Sequence, residues 1–489
     1  MPVASSRDNR AQMSTPTSET AELQELLARD PATGRILGSV PVTPPAQVDE
    51  VVEAVAKVQP LWALLRVKDR ARYMRRMAQA VIDDFDVLAR SLAREQGRPV
   101  AEIAALELLP AIDALIWIAQ EGADVLGGRA LRASRSTALT KRARLAYEPY
   151  GVVGVIGAGS APFAQPLGQI AAALLAGNGV TFKPAARAAL AAEQMARVLA
   201  RAALPEGLVS IAHGGPDVGV ALAQAPVDKI LFTGSPAVGR VVAGAGVARE
   251  KEVTVELGGK DAMLVLADAH LQRAAACAAW AGCVGAGQAR GAVERVYVAR
   301  ERLEHFLAAL VEECRGLTVG DPADPDVATG PVVNARAVER FERSVEAAQR
   351  DGVVAAGGLR GHGDGWFVEP TVVTGLPFAH PLTRDELFLP FLTVVRVEDF
   401  DSALGEANAV PYGLTAGVFS RDEAELDRFL DEIEAGVVYV NRRAGATTGA
   451  WPGIQPFGGW KGSTATGKAG GGLYYVQQFM REQSQTVVD

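Results

Sequence analysis

Cysteine is scarce in this 489-residue chain, which carries only Cys277, Cys283 and Cys314. Three thiols cannot build a disulfide framework, so the expected compartment is a reducing cytoplasm. Histidine is nearly as sparse. His213, His270, His305, His362 and His380 stand apart, without a pair at metal-ligand spacing, which argues against a structural metal. Positive charge is not in excess either: 49 Lys and Arg against 57 Asp and Glu leave a net charge of −8. A protein working on nucleic acid or anionic lipid needs a basic face, so neither partner is expected. Residues 1–20 lack an apolar run and carry Ser5, Ser6, Ser14, Thr15 and Thr17. They read as a loose tail rather than a signal peptide. Short-period repeats and extended low-complexity segments are missing as well. What is present is globular, with 49% hydrophobic and 22% charged residues. The length suggests two or three compact units.

The stretch from Pro149 to Phe182 has no charged side chain and superficially resembles a membrane span. Pro162, Pro166 and seven glycines interrupt it, so a buried α/β core is the better reading. Residues 46–120 have helical apolar spacing, as in Ala54, Val55, Val58, Leu61, Trp62 and Leu65. From Gly151 onward short apolar strands (Val152–Ile156, Gly179–Phe182, Leu208–Ala212, Ile230–Phe232) alternate with Ala-rich helical runs. That alternation predicts an α/β fold with a doubly wound parallel sheet. After Val253–Leu257 the pair Gly258-Gly259 marks a crossing into a second α/β unit, where strand and helix patterns repeat. Residues 321–334 read as a loop.

Doubly wound sheets bind ligands at the carboxyl ends of their strands, where strand order reverses. Ile230–Phe232 runs into Thr233-Gly234-Ser235-Pro236-Ala237-Val238-Gly239, a turn whose N–H groups can approach a phosphate. The same turn is also consistent with plain chain reversal. Lys183 follows a strand end, where its ammonium reaches a ribose or phosphate, or is simply solvated. Glu256 stands at an apolar strand end, suited to general-base work or to a salt bridge at a domain joint.

Taken in order, "GVIGAGSAPFAQPLGQIAAALLAGNGVTFKPA", "LFTGSPAVGR", "VELGGK", "GAGQARGAVERVYV", "DELFLPFLTVVRVED", "VPYGLTAGVFSRD" and "QPFGGWKGS" resemble the aldehyde dehydrogenase superfamily from about Asp30 to the C-terminus. The tail "NRRAGATTGAWPGIQPFGGWKGSTATGK" looks most like the branch that oxidises glutamate semialdehyde. The resemblance implies a dinucleotide-binding domain (21–131 and 148–257), a catalytic domain (258–438) and a small β oligomerisation arm (132–147 and 439–489), assembled as a homodimer or homotetramer acting on a small-molecule substrate. It places Gly234, Ser235 and Gly239 at the pyrophosphate turn, Lys183 at the adenosine ribose, Glu386 at the nicotinamide ribose and Phe388 near the ring. Glu256 becomes the general base. Gly449 and Ala450 match the branch's carboxylate-anchoring loop.

Three departures stand beside that match. The superfamily's nucleophilic Cys falls two positions after Gly-Gln, and here Gly287-Gln288 is followed by Ala289 and Arg290. A guanidinium stays protonated and has no lone pair for covalent attack. The oxyanion-hole Asn aligns with Ser160. Loss of one such donor typically costs about 2.7–4 kcal/mol. The acid that NAD-preferring members use on the ribose is Ala186 here, followed by Arg187, which leans the cofactor toward NADP(H) over NAD. Cys277 and Cys283 fall on a helical pattern as small buried residues. Three functions follow. The first is an NAD(P)-dependent oxidoreductase passing hydride directly to or from a carbonyl, alcohol, imine or amine, with Arg290 on the substrate. The second is a pseudoenzyme in which Arg290 pairs with Glu256. The third is aldehyde oxidation through a substitute nucleophile.

Overall fold

The computed structural model describes residues 25–131, 141–361, 363–445 and 451–488. Five parallel strands form one sheet in the order 209–211, 179–183, 152–156, 229–234, 252–257. Val152–Ile156 and Gly179–Lys183 are buried along their whole length, as strands covered on both faces must be. The covering helices grow from the Ala-rich runs. Ala164–Ala176 presents Leu167, Ile170, Leu174 and Leu175 to the core and ends on Gly177 at φ +101°, a left-handed stop that glycine adopts without a steric penalty. Strand order reverses between 152–156 and 229–234. The turns leaving those two strands, Gly157–Ser160 and Gly234–Ser235, therefore flank the switch-point crevice.

The N-terminal helical region contains Val48–Ala63, Val67–Asp83 and Phe85–Gln96. A helical stretch from Val100 to Val125 follows, broken by wider turns at Ala104–Leu108 and Ile118–Gly122. Past Leu257 the chain enters a seven-stranded sheet, ordered 353–356, 371–374, 391–397, 293–299, 261–265, 415–419, 437–440. All its pairings are parallel except that of 353–356 with 371–374. Lys141–Pro149 pairs antiparallel with Met480–Val488, and Arg129–Leu131 adds a third strand. Residues 132–140, part of the expected arm, lie outside the described residues, as does the tail 1–20. The segment 439–489 does not stay together. Met480–Val488 joins the arm, whereas Tyr475, Val476 and Phe479 are buried in the core of the first unit because their apolar side chains find cover there. Among the described residues no helix is long and apolar enough to cross a membrane.

Candidate functional site

The crevice is built from strand ends. Ser235 caps the helix Pro236–Val247 by position, but its hydroxyl makes no capping hydrogen bond, so the helix's first N–H groups remain available to an anion. Gly239, expected with the pyrophosphate turn, is buried one helical turn further on. A Cβ there would stand 2.6 Å from Leu257 Cδ2, so its absence seats the helix closely on the sheet. The same missing Cβ lets the turn and the first helical turn lie close to the strand ends. Lys183 is buried, and its ammonium donates no hydrogen bond among the described residues. Burial lowers its ammonium to about 8, with Asp217 opposing the shift. Arg187 turns toward the strand-end turn at Gly159. Its guanidinium folds back across Gly159, where any Cβ would collide with Nε and lie 2.9 Å from Cγ and Cζ. Burial, reinforced by the charge of Arg340, lowers Arg187 to about 10.

Across the crevice, the Glu386 carboxyl accepts the Gly259 N–H at 3.2 Å and fills the space a Gly258 side chain would need. Burial and the nearby Glu294 raise Glu386 to about 7, while the Gly259 bond, Arg290 and Lys260 oppose them. Phe388 holds φ +56°, a conformation costing a non-glycine residue roughly 1–3 kcal/mol. One buried carboxylate secures it. Glu294 accepts the Phe388 N–H at 2.8 Å, the Leu387 N–H at 2.9 Å and Lys260 Nζ at 2.6 Å.

Beside the crevice lies a cavity of about 240 Å³ that contains Ser160, Glu256 and Arg290 together. Glu256 is the penultimate residue of the strand Glu252–Leu257, and both its oxygens are engaged. Tyr475 Oη donates to Oε1 at 2.9 Å. Gln165 and Gln169 donate to Oε2 at 2.8 and 3.3 Å. Burial and the adjacent Glu256 hold the Tyr475 phenol well above its usual range. Arg290 is fastened at its near end, with Nε donating to the Leu257 carbonyl at 3.2 Å. Its Cζ stacks 5.3 Å from the Phe457 ring centre, and Nη1 stands 3.6 Å from Glu256 Oε2. Among the described residues neither Nη group completes a hydrogen bond. The loop that delivers Arg290 is tightly specified: Gly285, Ala286 and Gly287 run at φ +59°, +53° and +70°, and a Cβ on Gly287 would overlap the Leu389 carbonyl.

A second charged group lines the same cavity. Arg98 donates to Glu102 at 2.5 Å, to Glu107 at 3.0 Å and to the Ser160 carbonyl at 3.5 Å. Glu107 also accepts the Ala164 N–H at 2.8 Å, an acid placed at the positive end of Ala164–Ala176. Trp117, Ile118, Leu106, Ala114 and Trp280 supply apolar wall. No cysteine is among the described lining residues. Burial raises the Cys277 thiol, which lies 3.7 Å from Arg442 Nη2. Cys283 is raised by its contact with Cys314 and by burial. Gly449 and Ala450 lie outside the described residues. Reading the sequence did not find Gln165, Gln169, Tyr475, Arg98 or Glu107. The two glutamines had a usable signal, since they stand four apart as amides inside a stretch without charge.

A parallel nucleotide-type sheet, joined to a second α/β unit and a small antiparallel sheet, defines a dinucleotide-dependent dehydrogenase fold. The aldehyde dehydrogenase family model matches residues 18–485, and the chain belongs to that family. At family level it is an oxidoreductase that uses NAD or NADP on aldehyde-type substrates. Three solved structures illustrate the likeness. The indole-3-acetaldehyde dehydrogenase AldA of P. syringae, solved with NAD+ and IAA, is 27% identical with a TM-score of 0.90 over 96% of this chain and 94% of that one. An E. coli NADP-dependent enzyme is 28% identical, with a TM-score of 0.89 and 95% of each chain covered. A Bacillus cereus aldehyde dehydrogenase, solved with NAD+, is 27% identical, with a TM-score of 0.89 over 95% of this chain and 93% of that one.

Proposed function

We propose that this chain is an NAD(P)(H)-dependent oxidoreductase that works without a thiolate, with Arg290 where the resemblance expects the nucleophile. One observation carries the reading. Arg290 is anchored through Nε and the Phe457 ring, so its Nη groups enter a cavity whose described lining has no cysteine and whose acid, Glu256, is 3.6 Å away. The crevice fits a dinucleotide: the helix after Ser235 is uncapped by its side chain, and Lys183 is buried without an acceptor. Lys183, Gly234, Ser235, Glu386 and Phe388 would hold it. When bound, the nicotinamide supplies or takes up the hydride. Arg290 binds the substrate oxygen or nitrogen and stabilises negative charge developing there. Reduction of a carbonyl puts hydride on carbon and a proton on oxygen, and oxidation removes both. Glu256, through Tyr475 or directly, carries that proton. Ser160 stands in the wall as a further donor. The shift of Cys277 and Cys283 toward the protonated thiol argues against a substitute nucleophile.

With Arg290 engaged on the reacting group, the other described cation of the cavity, Arg98, is paired with Glu102 and Glu107. This supports a small uncharged substrate rather than glutamate semialdehyde, whose carboxylate would need a free cation. Ala186 places no acid against a 2′-phosphate, so we propose NADP(H) ahead of NAD. The exposed edge strand Met480–Val488 supports a homodimer or homotetramer.

The test is NADPH consumption with small neutral aldehydes and ketones. Turnover that survives thiol alkylation and falls roughly 10²–10³-fold in Arg290→Ala is expected from the loss of one strong donor. An unchanged Arg290→Ala rate rejects the role. A second reading, the pseudoenzyme, is favoured by the three donors that already saturate Glu256. It predicts dinucleotide binding without turnover of any carbonyl or alcohol.

A further inference from the structure

We infer that Arg187 is a cofactor-positioning residue that takes the diphosphate bridge common to NAD and NADP, made possible by the missing side chain at Gly159, and is not the discriminator of a 2′-phosphate. The argument starts from where the guanidinium lies. Arg187 belongs to the short turn Ala186–Ala188 after the strand Gly179–Lys183, and from there a long side chain is free to leave toward the outer edge of the sheet. It folds inward instead, occupying the space directly over the Gly159 Cα. Gly159 lies on the turn leaving Val152–Ile156, one wall of the switch-point crevice, and Ser235 lies on the other. In such sheets the crevice is where a dinucleotide's diphosphate sits.

The second argument is electrical. Among the described residues Arg187 has no hydrogen bond and no ion pair. The charged group that acts on it is another cation, Arg340, which is itself held by the Leu387 and Phe388 carbonyls at 2.8 and 3.4 Å. A partly buried guanidinium facing a second cation, with no acid paired to it, is a costly arrangement unless an anion completes it. The crevice supplies the place, and the uncapped helix after Ser235 supplies further N–H donors on the opposite side. A diphosphate is the anion that fits between them. The 2′-phosphate belongs to the adenosine ribose, which the resemblance places at Lys183, outside the switch point. The inference rests on the family's use of NAD(P) but not on the hydride-transfer role proposed for Arg290.

Dissociation constants of NAD, NADP, ADP-ribose and adenosine 2′-monophosphate, measured by calorimetry on the full chain, test it. Arg187→Ala is expected to weaken NAD, NADP and ADP-ribose by the same factor, roughly ten- to a hundredfold for one charge-assisted bond, and to leave adenosine 2′-monophosphate unchanged. Arg187→Lys recovers part of the loss. Gly159→Ala keeps the charge but displaces the guanidinium, and is expected to reproduce the Arg187→Ala pattern. The melting temperature of ligand-free Arg187→Ala is not expected to fall, because no bond is lost and the opposition of Arg340 is relieved. Selective weakening of NADP and adenosine 2′-monophosphate overturns the inference in favour of 2′-phosphate recognition. Equal affinities in Arg187→Ala and the parent overturn it as well, and a parent that binds no dinucleotide removes both it and the cofactor reading.

Discussion

Replacing Glu294 by Gln probes how the loop at Leu387 and Phe388 is held. Glu294 and Lys260 are both buried, with Lys260 Nζ 2.6 Å from Oε2. The same carboxylate accepts the N–H groups of Leu387 and Phe388. A glutamine keeps one acceptor for Phe388 but turns an NH₂ group toward the ammonium and the Leu387 N–H, so donors face donors. Breaking a buried pair from one side costs about 3–5 kcal/mol, mostly from the stranded charge. Burial already draws the Lys260 ammonium down, with Glu294 pulling it back, so in the variant Lys260 sheds its proton and limits the loss to about 3 kcal/mol. Adding Lys260→Met removes the stranded group and is expected to recover all but about 1 kcal/mol, the share of the weakened loop hydrogen bond. Urea unfolding, read by midpoint and slope together, measures the global effect. Amide exchange at Leu387 and Phe388 measures the local one. A single variant within 0.5 kcal/mol of the parent, roughly the scatter of ordinary surface changes, or a double variant no better than the single, would refute this account.

Further expectations concern titration and the cavity. Burial raises Glu95 and Glu386 to about 7 and Asp261 to about 8, so the folded chain holds protons that the unfolded chain has released. These groups therefore lose stability for the fold as pH rises from the usual carboxyl range to their folded values. Lys183 and Lys229 are lowered to about 8 and about 7, and their contribution recovers as pH climbs above those values. Melting temperature against pH at constant ionic strength should pass through a minimum at about 7 to 8; a maximum there contradicts the assignment. Tyr475→Phe removes one donor from Glu256 at about 1 kcal/mol of stability. If the proposed proton path holds, it also moves the pH profile of turnover, and an identical profile speaks against Tyr475 in that path. Gly287→Ala forces a Cβ into the Leu389 carbonyl at φ +70°. It should cost more than 1 kcal/mol and misplace Arg290, so unchanged stability and rate would show that the loop relaxes freely.

Much of the first sheet was legible because its strands are short, apolar and punctuated by glycine. Val152–Ile156 falls where the pattern puts it. The approach of Glu256 and Arg290 was legible as an alternative, since motif order brings two strand-end loops to one side. The partners of Glu256 were not. Tyr475 is 219 residues away in sequence and sits in a glycine-rich segment that has no helical or strand period to place it. Arg187 shows a different limit. Its position next to Ala186 suggested charge at the ribose, but its direction is set by an empty volume above Gly159, and local sequence does not encode emptiness. Gly239 shows a packing demand that local sequence does not display, since a side chain there would meet Leu257 and Phe232.

All three thiols are buried, and none borders the described cavity that holds Glu256 and Arg290. Oxidants such as hydrogen peroxide attack accessible thiolates first, converting them to sulfenic acid and beyond. A catalyst built around a guanidinium has no such weak point. If the proposed thiolate-free chemistry holds, the consequence is endurance: turnover is expected to survive peroxide doses at which sulfur-dependent catalysts progressively fail.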